Sequence, residues 1–347
     1  LKIKLKKIFG DNFFLVALHA NKDTRIHNLA ERYGIKNNEA LNLIQKDCND
    51  FAQSGQNLSK SFQFADTFID SSNRPNVREQ TKRLVEILFC HPYVQPTIDE
   101  VSMATAYIAS LQSMDLSRQV GAAIIDSSNN IIATGCNEVP KFGGGIYSVD
   151  YALNHNDLSI GYDTNYHEIC SVTAQIVEQF RESLDHDKLK NAVESVLSGK
   201  LTEFYRTVHA EMNALMQLAR TNISSKDCVM YATTLPCHGC AKHIIGSGIK
   251  SVIYIEPYEK SCTFRLHSDS VTDGNECVDK VNFRQFFGIS PKRFISFFAS
   301  AKKDMLQTNG LLVDLSRKSN DKKSKGQVLR VDEYSREIPR IAIIVYK

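Results

Sequence analysis

The stretch that most constrains this chain is Thr207–Ala219, TVHAEMNALMQLA. Val208, Ala210, Ala214, Leu215 and Leu218 recur at helical spacing, which predicts a helix with one face bound for a core. Its first turn nevertheless carries two ionisable groups, His209 and Glu211. Burying such a pair costs several kcal/mol unless something compensates. The fold must therefore bring a partner to that turn.

The compensation lies downstream in LPCHGC. Cys237 and Cys240 stand three apart at the start of a second predicted helix, 28 and 31 positions after His209. One imidazole and two thiolates suit Zn²⁺, and three protein ligands leave a fourth position open for water. Two thiolates cancel the charge of the ion. Both ligand groups open helices, whose positive ends favour thiolates. Glu211 sits beside the open position, where it could take a proton from water and deliver it to a substrate nitrogen. A structural zinc knot is the bland alternative, but such sites close with four ligands, usually as two pairs. A redox CxxC is another, and it leaves Pro236 and the upstream HAE without a role.

Composition narrows the setting. The chain has 347 residues, enough for two domains. Its 42 Lys and Arg against 39 Asp and Glu leave a net charge of +3, too little for a nucleic-acid footprint. Nine scattered cysteines do not resemble a secreted disulfide framework, which favours a reducing, cytoplasmic location. LKIKLKK before FFLVALHA superficially resembles a signal peptide, but the apolar run is only eight residues, and a buried strand explains it better. No stretch approaches the ~20 apolar residues of a membrane span. The chain does not begin with Met and is read as part of a longer product.

Two patterns divide the chain. Residues 1–95 alternate strand-length apolar runs with amphipathic helices: a strand over Phe13–His19, helices in DTRIHNLAERYG and NEALNLIQKDCNDF, a strand in ADTFIDSS and a helix in VREQTKRLVEILF. HPYVQPT reads as a linker. Residues 96–347 begin with a helix, VSMATAYIASLQSM, and a hairpin, QVGAAIIDSSNNIIATGC, turning on SSNN. Residues 146–200 read as an insertion, polar and irregular before a helix in SVTAQIVEQFRESL. After the His209 helix come a strand, VMYATT, the Cys237 helix, a strand, SVIYIEP, a helix, PKRFISFFASAKK, and a last strand, RIAIIVY. The intervening SRKSNDKKSKGQ reads most simply as a solvated loop, with a polyanion contact as the alternative. The remaining seven cysteines read as small buried hydrophobes, although His167 and Cys170 form an HxxC that a second metal could use.

H-x-E…P-C-x-x-C is the signature of zinc deaminases acting on nucleobases. With DLSRQVGAAIID, IIATGCNEVPK, HAEMNAL and YATTLPCHGCAKHIIGSGIKSVIY, residues 97–260 resemble the deoxycytidylate deaminases of the cytidine deaminase superfamily. GCNEVPKFGGGIYS, YIEPYEKS and LHSDS resemble a narrower group, the bacterial anti-phage dCTP/dCMP deaminases, which carry an amino-terminal P-loop kinase-like domain. Residues 1–95 are similar to the second half of such a domain. No G-x-x-x-x-G-K-[ST] phosphate loop occurs; either it lies upstream of Leu1 or this fragment cannot hydrolyse NTP, and no independent kinase activity is expected of these residues.

The resemblance implies a three-layer α/β/α deaminase domain after a partial P-loop-kinase-like α/β domain. It implies zinc held by His209, Cys237 and Cys240, with Glu211 as the proton shuttle. Asn137 would hold the sugar hydroxyl, and the backbone of Gly121, Ala122 and Ala210 would line the base pocket. Arg118, Lys141, Tyr258 and Lys260 are candidates for the phosphate, with His267 a further one. The implied reaction is hydrolysis at C4 of cytosine in dCMP or dCTP, depleting dCTP during phage infection, by a chain that self-associates. A biosynthetic dCMP deaminase, a polynucleotide deaminase acting on tRNA or single-stranded DNA, and a non-catalytic nucleotide sensor are the rival readings.

Overall fold

The computed structural model describes residues 2–10, 13–49, 62, 64–88, 94–115, 117–147, 155–180, 186–197, 204–258, 260–274, 277–299 and 340–344. In chain order the first elements are α1 (Lys2–Phe9), β1 (Phe13–His19), α2 (Lys22–Tyr33), α3 (Asn37–Asn49), β2 (Thr67–Asp70), α4 (Arg74–Leu88) and α5 (Ile98–Ser110). The hairpin β3 (Gly121–Ile125) and β4 (Ile131–Cys136) follows, then α6 (Asp157–Ile160), α7 (Thr164–Gln179) and α8 (His186–Leu197). Next are α9 (Ala210–Arg220), β5 (Val229–Thr234), α10 (His238–Gly246), β6 (Ser251–Glu256) and α11 (Thr263–Leu266). The last are β7 (Val271–Asp273), β8 (Val281–Gln285), β9 (Gly288–Ile289), α12 (Pro291–Phe298) and β10 (Arg340–Ile344).

The chain forms two compact units, one of residues up to Ala104 together with those from Gln285 onward, the other Thr105–Arg284. This grouping differs from a division at residues 95 and 96. The reason is strand pairing: β10 runs parallel to β1, Phe13 opposite Arg340, and β9 runs antiparallel to β2, Thr67 opposite Ile289. The end of the chain thus completes the first unit's four-stranded sheet, ordered β10-β1-β2-β9.

Within that unit β1 is apolar on both faces, as a parallel strand covered on each side must be. Asn21 caps α2 by accepting a hydrogen bond from the Thr24 N–H at 2.8 Å, and Gly34 ends it at φ +66°. Ahead of the first predicted strand, Lys2–Phe9 form the helix α1. Glu100, fully buried, accepts both ends of the Arg83 guanidinium at 2.8 and 2.7 Å and the N–H groups of Thr97 and Ile289, each at 2.8 Å. Asp66 likewise accepts from Arg293 Nε and from the Leu15 N–H, both at 2.7 Å.

The second unit is built on a six-stranded sheet ordered β4-β3-β5-β6-β8-β7. β3 is antiparallel to both β4 and β5, whereas β5 and β6 are parallel. The SSNN signal forms the β3–β4 turn: Asn129 takes φ +66°, and Asp126 Oδ1 accepts from Ser128 N and Asn130 N. Alternation along β3 sends successive residues to opposite faces. A Cβ on Gly121 would lie 1.9 Å from Ala106 O of α5, while Ala122 and Ile124 join Ala210, Ala214 and Leu218 of α9 and Ile244 of α10 in one core. Helices therefore cover both faces of this part of the sheet. A Cβ on Gly135 would lie 2.3 Å from Ala210 O, so β4 and the first turn of α9 approach to backbone contact.

The described part of the 146–200 segment is more helical than expected, forming α6, α7 and α8. Residues 91–93 of the HPYVQPT linker and all of the basic segment SRKSNDKKSKGQ lie outside the described residues. Among the described residues no helix is long and apolar enough to cross a membrane.

Candidate metal centre and active site

His209 and Cys237 occupy matching positions, each the extended residue immediately before a helix, α9 and α10 respectively. β5 joins these helices and leads Cys237 back to His209. His209 Nδ1 lies 3.5 Å from Cys237 Sγ and 3.3 Å from Cys240 Sγ. In tetrahedral zinc coordination with ordinary bond lengths, nitrogen and sulfur ligands stand about 3.5 Å apart. The three ligand atoms all lie within 4.8 Å of one another, the sole such group of three or more found among the described residues. Donor chemistry and spacing both fit Zn²⁺.

The cluster's proton chemistry agrees with this. The Cys240 thiol and His209 both hydrogen-bond to the Cys237 sulfur and hold its pKa down at about 3. The same bond to Cys237 lifts His209 to about 9 and, with burial, pushes Cys240 well above the ordinary thiol range. A divalent cation takes these ligands deprotonated and so displaces both protons.

Glu211 is 4% exposed. Its Oε2 lies 3.6 Å from Cys240 Sγ, and burial raises its pKa. It shares the buried face of α9 with Ala214, Leu215 and Leu218. The opposite face of α9, with Met212 and Met216, lines a cleft of about 580 Å³ that reaches His209, Cys237 and Cys240 but not Glu211. All four ordinary charged or titratable side chains lining this cleft besides the ligands are basic: Lys141, Arg220, Lys242 and His243.

The other expected site residues fall in several places. Asn137 is buried; its Oδ1 accepts from Val120 N and its Nδ2 donates to Arg118 O, both at 2.7 Å. It therefore shapes the strand entry that carries Arg118. The Arg118 guanidinium lies 6.0 Å over the Tyr258 ring and 3.8 Å from Glu256. Ala122 and Ala210 are fully buried side by side in the core. Gly121 donates its N–H to Thr233 Oγ1 at 3.0 Å. Lys141 lines the cleft, and Lys260 is exposed. His167 and Cys170 meet no third ligand among the described residues. Cys136 and Cys228 are buried as expected, but Cys170 and Cys262 are half-buried and Cys277 is exposed. Cys90 lies outside the described residues, as does the Cys48 side chain.

Sequence reasoning overlooked Glu138. It is 2% exposed, and its carboxylate accepts the N–H groups of Met114 and Val139 at 2.8 Å, while its backbone bridges to Val208 beside His209. The signal was available, since an acid between Cys136 and Val139 raises the same burial question as Glu211.

Comparison with known proteins places this geometry. Residues 96–256 match the family described as the cytidine and deoxycytidylate deaminase zinc-binding region. The deoxycytidylate deaminase of Enterobacteria phage T4 is 34% identical over 162 residues, covering 45% of this chain and 76% of the relative. The Homo sapiens deoxycytidylate deaminase is 27% identical over 196 residues, covering 56% and 79%. Among solved structures, a dCMP deaminase from cyanophage S-TIM5 in complex with dCMP and dUMP aligns at 21% identity with a TM-score of 0.34, covering 56% of this chain and all of that one.

Proposed function

This chain belongs to the cytidine and deoxycytidylate deaminase family, and on that premise we propose that it deaminates a free deoxycytidine nucleotide, dCMP or dCTP. It is a hydrolytic deaminase with a zinc-binding region. The phage T4 and Homo sapiens relatives are named for deoxycytidylate, which supports dCMP as a substrate. The observation that carries the mechanism is a buried carboxylate, Glu211, beside a three-ligand His209–Cys237–Cys240 set.

Zinc held by His209, Cys237 and Cys240 would supply the Lewis acidity that activates water. Glu211 accepts a proton as water adds to C4 and passes it to ring N3, then carries water's second proton to the departing amine. Water and the cytosine ring thus become uracil and ammonia. Ala122 and Ala210 keep the wall behind the site small, and Asn137 fixes the strand entry within reach of the sugar. Arg118 and Tyr258 on one flank, with Lys141 and Lys260, are the proposed phosphate contacts, and Gly121 contributes backbone only.

Incubating the chain with dC, dCMP, dCTP, CTP and a cytosine-containing oligonucleotide, and following ammonia release, tests this reading. Turnover of dCMP or dCTP is expected, and deamination of the oligonucleotide alone contradicts it. The resemblance further supports a role in depleting dCTP during phage infection. Residues 1–95 are then the carboxyl-terminal part of a P-loop-kinase-like domain, and the protein self-associates. The dCTP pool of infected cells should fall with the wild-type protein and hold with Glu211→Gln.

A further inference from the structure

The turn that presents Cys237 and Cys240 is gripped by the segment that follows β6. Ser261 Oγ donates to Pro236 O at 2.9 Å, and Thr263 Oγ1 lies 2.8 Å from Ser261 Oγ and 3.2 Å from the same carbonyl. Each hydroxyl has one hydrogen, so the shorter contacts define a relay from Thr263 through Ser261 to Pro236. Thr263 is fully buried. One helical turn further on, His267 Nε2 donates to His238 O at 3.2 Å.

These two carbonyls are significant because of what they flank. The Pro236 carbonyl belongs to the peptide plane entering Cys237, and the His238 carbonyl to the plane entering Gly239. Pinning both limits the freedom of Cys237 and His238, the two residues between them. Cys237 accordingly holds φ −69° and ψ 164°, with its Sγ accepting the Cys240 N–H at 3.4 Å. The backbone of the same segment also reaches the proposed substrate flank, since Ser261 N donates to Tyr258 O at 2.9 Å.

We propose that Ser261, Thr263 and His267 are positioning residues for the metal: they lock the Pro236–His238 turn so that both thiolates stand ready at the separation tetrahedral ligation needs. This rests on the reading that His209, Cys237 and Cys240 are the ligands. Groups that orient metal ligands typically influence affinity or activity by about 10- to 100-fold. A clamp on the ligand-bearing turn should fall in that range.

The experiment uses the whole chain and measures zinc affinity by competition with a chromophoric chelator, beside the visible spectrum of the Co²⁺-loaded protein and the melting temperature. Thr263→Val keeps the shape and removes the donor; Thr263→Ser restores it. Thr263→Val should bind zinc roughly 10- to 100-fold more weakly with a shifted Co²⁺ spectrum, and Thr263→Ser should return near wild type. His267→Ala, at a half-buried position, should weaken zinc binding in the same direction and guards against a Thr263→Val that fails to fold. Wild-type zinc affinity in both Thr263→Val and His267→Ala, with only the melting temperature lowered, overturns the clamp. A wild-type chain that binds no zinc instead overturns the ligand assignment itself.

Discussion

Two glutamates, Glu100 in the first unit and Glu211 in the second, are almost equally buried, yet their surroundings could hardly differ more. Glu100 receives a bidentate guanidinium and two backbone N–H groups, so four donors satisfy its two oxygens. For Glu211 the donors are its own backbone N–H and a thiol at 3.6 Å, and burial lifts its pKa. A carboxylate saturated with donors has its hydrogen-bonding capacity spent within the protein and serves the fold. One left short of donors beside a metal-ligand set can exchange a proton and serves chemistry. Burial alone does not separate the two roles; the partners do.

The largest effect is expected at the set beside Glu211. Cys237→Ala removes one of three ligands, so zinc content should fall well below one ion per chain, with stability falling as well because metal binding is coupled to folding. Zinc at full occupancy in that variant would remove Cys237 from the ligand set and leave Glu211 with no special neighbour.

The counterpart in the first unit is Glu100→Gln, which leaves Arg83 without its charge partner and two backbone donors poorly met. Breaking a buried pair costs about 3–5 kcal/mol; Arg83 is part-exposed, so the low end is expected. Chemical denaturation should show that loss while the deamination rate of the folded protein stays near wild type. A rate loss without a stability loss would erase the contrast between the two acids.

A smaller effect sharpens the comparison with a third sequestered group. Burial, reinforced by Arg25, lowers His19 from 6.5 to about 4, so the folded chain keeps it neutral. Between those values the unfolded chain binds more protons than the folded one. Its contribution is therefore complete above about pH 6.5 and drains as pH falls toward 4. The loss is at most about 3 kcal/mol, less because the ring keeps some solvent contact. Melting temperature against pH should show this decline, and His19→Gln should flatten it; an unchanged slope would reject the assignment.

How much of this was legible in the sequence follows from the range of the interactions. The β1 and β5 boundaries, the hairpin and the His209 and Cys237 helix starts rest on local periodicity and turn chemistry, and they stand where expected. The metal set was legible because H-x-E and P-C-x-x-C encode it in two short phrases. The partnership of β10 with β1 was not, since a terminal apolar run carries no mark of which strand it will join. Nothing in its local sequence marks Glu100, because Arg83 and Ile289 reach it from 17 and 189 positions away. The Ser261–Thr263 relay escaped for the same reason.

The central claim is that Glu211 moves protons rather than holding the fold together. Glu211→Gln tests it directly when zinc content, melting temperature and deamination rate are measured on the same preparation. The amide keeps the shape and hydrogen-bonding capacity of the side chain, so zinc and melting temperature should remain near wild type. The rate should fall by at least the ~10²–10⁴-fold that a lost general acid–base removes. A variant that keeps a near-normal rate, or one that loses zinc, stability and rate together, would contradict the account.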